Sequence, residues 1–217
     1  MYFFCSDIES EILVGEAAAH LFSCRVVAGE KLYLTDLLGN LAQVEILDSD
    51  KKNKEIKFEI SDQKNFEFIG PEKILIQSIT DKAYLEKLAE IVALGGISKI
   101  ILFNSEFSQR QNVNLERLDR ILTRSCEQSE RVFKPVLEVV ELDLNQIIEL
   151  YKPIVLDQAG IAKENVDKNL LKSPVLVGPE GGWSEEEKQM FLESKLNLVS
   201  LGEVIFPAWL AGFSWFV

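Results

Sequence analysis

Val175-Leu-Val-Gly-Pro-Glu-Gly-Gly-Trp-Ser-Glu-Glu-Glu187 is the segment of this chain whose residue types and spacing best suit chemistry. A buried-type apolar run ends at Val177 and a glycine-rich turn follows. Ser184, with Glu187 three residues on, has the form of a capping box that starts a helix. Gly178, Gly181 and Gly182 remove side chains where a ligand could approach the backbone closely. Glu185, Glu186 and Glu187 already occupy the positive end of the helix dipole and would repel a phosphate. An uncharged adenosyl edge, read by backbone amides and carbonyls, suits the loop better. An ordinary strand-to-helix turn would carry the same glycines.

A second constellation is cationic. Arg117, Arg120, Arg124 and Arg131, with Gln128, fall at spacings that share one face of a helix. Leu115, Leu118, Ile121, Leu122 and Ser125 take the opposite, inward side. The stripe can contact phosphates, or it can be a solvated face neutralised by Glu116, Asp119 and Glu127. His20 is the single histidine, so a His-based triad or multi-His metal centre would have to rest on it. A locally bonded helix-face histidine is the alternative. Cys5, Cys24 and Cys126 are too scattered for a disulfide framework or a zinc site and read as small core fillers in a reducing cytoplasm. No metal is expected.

The elements that must position these residues divide into two grammars. Residues 1–68 read as a small β-rich module: a helix over Gly15–Phe22, then three strands, Lys31–Asp36, Leu41–Leu47 and Glu55–Ile60, with a charged loop at Asp48–Lys54. Ser61–Glu72, carrying Gly70-Pro71, is the expected linker. From 69 to 217, strands alternate with helices, which implies a mostly parallel sheet covered on both faces. The strands are Ile74–Ile79, Lys99–Phe103, Pro135–Val140, Pro153–Leu156, Pro174–Val177 and Asn197–Leu201. The helices are Asp81–Leu94, Leu115–Glu130, Leu144–Tyr151, Glu185–Glu193 and a terminal apolar one from Pro207. The start is too short and acidic for a signal peptide, and no apolar run approaches a membrane span. A net charge of −12 argues against nonspecific coating of nucleic acid, while leaving room for a local basic patch.

Gly178-Pro-Glu-Gly-Gly182 after a strand, with Leu201-Gly202 following, resembles the small-subunit ribosomal RNA methyltransferase E family of the SPOUT superfamily. Glu16-Ala-Ala-Ala-His-Leu21, Arg25, Gly29-Glu30 and Asp36–Gly39 are similar to the family's N-terminal PUA-like domain, and Cys126-Glu-Gln-Ser-Glu-Arg131 with Pro135 to its Glu-Gln-Ser-x-Arg helix end. The resemblance implies an α/β protein with a PUA-like β-barrel RNA-binding domain (1–68) and a SPOUT-type α/β trefoil knot with a mostly parallel sheet (69–217). It implies methylation of uridine N3 in 16S rRNA of the small ribosomal subunit by a cytoplasmic homodimer using S-adenosyl-L-methionine. The cofactor pocket would be built from the turn after Leu156 (Asp157–Gly160), from Gly178, Pro179, Glu180, Gly181 and Gly182, and from Leu201, Gly202 and Ile205. RNA contacts would fall to His20, Arg25, Arg124, Gln128 and Arg131. Glu180 reads as structural within its loop, and no general base is assigned.

The chain departs from the family pattern after Leu201-Gly202. Pro207, Trp209 and Leu210 stand where the family has arginine, glutamate and threonine, so whatever charge the arginine supplies is lost. Phe107 also replaces a family arginine, and Glu90 and Ala93 stand at a usual lysine and glutamate. A frameshifted or shortened terminus, or divergence with a repacked helix, would each account for the apolar ending. An inactive cofactor binder or a noncatalytic RNA-binding module are the corresponding alternatives.

Overall fold

Alternating apolar and polar residues in the first third of the chain give it one buried and one wet sheet face. The computed structural model describes residues 1–109 and 112–217. It has two compact units, 1–69 with 123–134 and 70–122 with 135–217.

The first unit contains β1 (Tyr2–Phe4), β2 (Ile12–Val14), α1 (Gly15–Ser23), β3 (Lys31–Thr35), β4 (Asn40–Asp50) and β5 (Glu55–Asn65). These strands form one curled sheet, a half-barrel in the order β1-β3-β4-β5-β2, with β1 parallel to β3 and the other pairs antiparallel. Register shifts between Gln43 and Val44 and between Ile46 and Asp48 bend the long β4–β5 ribbon. Its concave face buries Leu34, Val44, Ile46, Ile56 and Phe58 against Ala18 and Leu21 of α1. Five strands replace the three expected, because β1 and β2 have three residues each and show no period. The charged loop is shorter than expected: β4 continues to Asp50, whose carboxylate accepts from the amides of Lys52 and Asn53 and closes the turn. Part of the expected linker is strand as well, since β5 runs to Asn65.

The second unit follows the strand–helix alternation: β6 (Ile74–Ser78), α2 (Lys82–Ile91), β7 (Lys99–Phe103), α3 (Leu115–Gln128), β8 (Val136–Val139), α4 (Leu144–Tyr151), β9 (Ile154–Ala162), β10 (Val175–Val177), α5 (Glu185–Glu193), β11 (Leu198–Ser200) and α6 (Ala208–Phe216). The last residues of α3 belong to the first unit. The sheet, ordered β11-β9-β10-β6-β7-β8, is parallel throughout. Adjacent residues point to opposite faces. Leu75, Ile100 and Val175 therefore meet α2, the start of α3, and α6, whereas Ile76, Ile101 and Leu176 meet α4 and α5. Burial on both faces explains why these strands read as apolar runs.

The terminal segment is a packed helix. Ala211 and Trp215 are buried in the core, and a Cβ at Gly212 would lie 2.4 Å from Leu75 Cδ1. No helix among the described residues is long and apolar enough to cross a membrane.

Candidate functional site

A bulge within β9 and the loops at the C-terminal ends of β10 and β11 line a cavity of about 710 Å3. Leu156, Gly178, Pro179, Glu180, Gly181, Gly182, Leu201, Gly202 and Ile205 all line it.

Each loop has a local cause. The first is not a turn after a strand ending at Leu156, as the sequence suggested, but a bulge inside β9. Leu198 pairs with Val155 while the next residue, Val199, pairs with Ile161, so on the β11 side residues 156–160 fall between consecutive rungs, Leu156 keeping its pairing with Val177 of β10 on the other side. Asp157 and Gln158 thereby face the cavity. Gly160 lies where a Cβ would be 2.4 Å from the Leu198 carbonyl carbon and the Val199 nitrogen.

The second loop turns at Pro179–Gly182, where the Gly182 amide donates to the Pro179 carbonyl at 3.0 Å and Gly182 takes φ 75°. Trp183 folds back beneath Gly178, buried edge-to-face on Phe191 with ring centroids 5.0 Å apart. Glu180 Oε1 accepts from the Asp81 amide at 3.3 Å and ties the loop to the start of α2. The capping box is formed: Ser184 Oγ accepts from the Glu187 amide at 3.1 Å, and Glu187 Oε2 accepts from the Ser184 amide at 2.9 Å. Glu187 Oε1 also accepts from the Glu106 amide at 2.9 Å, so one buried carboxylate fastens two loops. Replacing Glu187 with alanine strands two amides, and a loss of roughly 2–4 kcal/mol in unfolding free energy is expected. Urea denaturation checks this; an unchanged midpoint would refute the double anchoring.

The third loop leaves β11 through Gly202 at φ 114°, with Ser200 Oγ accepting from the Gly202 amide at 3.2 Å. Val204 and Ile205 stand exposed on the cavity rim. Pro207 lines the cavity, whereas Trp209 sits outside it with the Lys87 ammonium 5.4 Å from its ring centroid. Tyr84, Trp183 and Lys188 also line the cavity, and the sequence reading missed them. Tyr84 sits three residues after an N-cap aspartate on α2, which offered no signal in isolation. Lys188 pairs with Glu185 at 2.8 Å, and that hydrogen bond raises its pKa.

The lining offers an uncharged adenosyl edge an apolar floor of Leu156, Val177 and Val199 and a wall of loop amides and carbonyls, with Asp157, Glu180 and Lys188 as its charged members. Among the described residues no cluster of three His, Cys, Asp or Glu could hold a metal.

The five expected RNA-contacting residues, His20, Arg25, Arg124, Gln128 and Arg131, all belong to the first unit. Arg25 is exposed at φ 62°, just past α1, and Arg124 and Gln128 are exposed on α3. His20 Nδ1 lies 3.4 Å from Glu127 Oε1, and its ring meets Phe3 edge-on.

The stripe itself needs correcting. Arg117 is held by Glu86 through two bonds of 2.6 and 2.8 Å, which lower the Glu86 pKa and raise that of Arg117. Arg131 lies beyond the helix end, after Glu130 at φ 56°, and burial lowers its pKa. Glu127, expected on the wet face, is buried and accepts from the Phe4 amide at 2.7 Å. Leu115, expected inward, is exposed, as is Cys24, whereas Cys5 and Cys126 are buried. The helix is read correctly by period, but the burial of Glu127 depends on a partner distant in sequence, the Phe4 amide.

Residues 70–208 match the model of the RNA methyltransferase domain family. The chain is 32% identical over 201 residues to the ribosomal RNA small subunit methyltransferase E of Helicobacter pylori (strain ATCC 700392 / 26695), covering 88% of this chain and 86% of that protein. A probable rRNA-methyltransferase of Porphyromonas gingivalis superposes with a TM-score of 0.77 at 27% identity, over 98% of this chain and 94% of the other. The ribosomal RNA small subunit methyltransferase E of Neisseria gonorrhoeae, solved bound to S-adenosyl methionine, gives 0.81 at 22% identity, over 99% and 94%. These likenesses agree with the α/β fold of a curled sheet followed by a parallel one.

Proposed function

Because this chain belongs to the ribosomal RNA small subunit methyltransferase E family, we propose that it methylates N3 of a uridine in 16S rRNA with S-adenosyl-L-methionine as donor. The observation that carries the reading is the convergence of three loops, from β9, β10 and β11, on one cavity with an apolar floor and a glycine-rich backbone wall. Leu156, Gly178–Gly182, Leu201, Gly202 and Ile205 would hold the adenosyl group, and the carboxylates at the head of α5 disfavour a phosphate there.

When bound, the cofactor supplies an electrophilic methyl group on its sulfonium. What the chain must add is alignment and relief of the charge left on the uracil as its N3 proton departs. Gly178 leaves room for the Trp183 ring that fills the space beneath the loop, and Glu180 fixes the loop through the Asp81 amide. His20, Arg25, Arg124, Gln128 and Arg131 would contact the rRNA from the first unit, with the acidic remainder of the chain limiting nonspecific binding. In this reading the enzyme works in the cytoplasm on the small subunit, as a homodimer, with the loops around 178–182 and 201–207 forming a trefoil knot.

A second reading, a cofactor binder without turnover, is favoured by Pro207, which lines the cavity where the family has arginine. Calorimetry with S-adenosylmethionine and a methylation assay on undermethylated small subunits separate the two. Binding with methyl transfer to N3 is the expected result. Binding without transfer establishes the second reading, and no binding removes both.

A further inference from the structure

The glycine loop has a tether that lies outside the cavity lining. Gln77 is fully buried on β6, in a strand otherwise made of apolar residues up to Ser78. It pairs in register with Val177, the last residue of β10, so its side chain reaches one step past the ladder. There its Nε2 donates to the Gly178 carbonyl at 3.2 Å, and to the Ser78 carbonyl at 3.1 Å. Its Oε1 is buried with no hydrogen-bond partner among the described residues. The opposite amide orientation would set that oxygen against two carbonyl oxygens, so chemistry assigns the nitrogen as the donor.

Burying an amide oxygen without a partner costs free energy. A methionine of nearly the same length would fill this place in the sheet without that cost. Packing therefore does not account for glutamine here, and what distinguishes it is the bond to Gly178. Gly178 opens the cavity wall and has no side chain of its own to fix its peptide, since a Cβ there would lie 2.9 Å from the Trp183 ring. A glycine peptide without an outside anchor is free to rotate, and the backbone edges that face the cavity would turn with it.

We infer that Gln77 is a positioning residue that holds the Gly178 carbonyl, and through it the 178–182 backbone, in the orientation that receives S-adenosylmethionine. The inference rests on the reading of the cavity as the S-adenosylmethionine site. Gln77 touches no reacting atom; it sets cofactor affinity through Gly178.

The test is calorimetry of S-adenosylmethionine binding to the full chain, to Gln77→Met and to Gln77→Glu, from about pH 5.5 to 9, a range that contains the raised pKa of a buried carboxyl. Gln77→Met keeps the shape and removes the donor. It is expected to bind about tenfold more weakly at every pH, with its melting temperature within a few degrees of the parent. Gln77→Glu is expected to bind like the parent at the acid end, where the neutral carboxyl donates its O–H to Gly178. At the alkaline end, where the carboxylate has no proton to give, it should bind as weakly as Gln77→Met. A merely structural glutamine would not produce that pH-dependent rescue. Less than a threefold loss in Gln77→Met, or a Gln77→Glu profile parallel to the parent's, overturns the inference while the cofactor site stands. A parent chain that binds no S-adenosylmethionine overturns the site and the inference together. Should Gln77→Met fail to fold, the Gln77→Glu profile decides alone.

Discussion

Gly178→Val is expected to weaken S-adenosylmethionine binding by about 100-fold or more, roughly 2.7 kcal/mol. The reason is steric and cannot be relieved locally. A Cβ at this position lies 2.9 Å from Trp183 Cε2 and 3.2 Å from Cδ2. The Trp183 ring cannot retreat, because it is buried against Phe191, itself fully buried in the core between the sheet, α4 and α5. The substitution must therefore push the loop outward, into the cavity; overpacking of this kind costs roughly 1–3 kcal/mol in stability as well. Gly181→Ala is the matched control, since its Cβ would meet Phe107 at an ordinary 3.5 Å and its backbone is unstrained. Calorimetry and thermal unfolding on both variants separate the effects. The idea is lost if Gly178→Val binds the cofactor like the parent, or if Gly181→Ala unfolds as early as Gly178→Val.

Gly160→Ala should be the most destabilising single methyl in the second unit. Its Cβ would lie 2.4 Å from both the Leu198 carbonyl carbon and the Val199 nitrogen, and 2.6 Å from the Leu198 oxygen. These are backbone atoms of β11, so no rotamer change makes room. The clash falls where β9 resumes pairing after its bulge, with Val199 opposite Ile161. Either the bulge or the β11 ladder must open, and a loss of roughly 2–4 kcal/mol is expected, about 4–16 °C in melting temperature for a chain of this size. Because the bulge carries Asp157 and Gln158 to the cavity, cofactor affinity should fall in step. A variant that melts within 2 °C of the parent, by roughly that scale, would show that the two strands do not approach as closely as described.

Much of the second unit was legible in the residues. Helix α4 and strand β7 fall where period and punctuation put them, because an amphipathic stripe or a doubly buried strand leaves its mark in a single segment. The capping box was equally plain, since Ser184 and Glu187 need only each other. The first unit was half legible: β1 and β2 carry too few residues to show alternation and are strands only because β3 and β5 offer them edges. Glu127 was misplaced because its partner, the Phe4 amide, lies far away in sequence.

The glycine loop shows where this division falls. The sequence by itself determined that a strand ends at Val177 and that a capped helix begins at Ser184. These are consequences of local backbone chemistry. Only the tertiary structure decided that Gly178 is glycine because Trp183 lies beneath it, and that a buried glutamine on β6 holds its carbonyl. Only the fold showed that the expected turn after Leu156 is a bulge locked by Gly160 against β11. The first depends on the core that holds the indole against Phe191; the other two depend on close approach between segments far apart in the chain, set by the order of strands in the sheet, which local residue patterns do not encode.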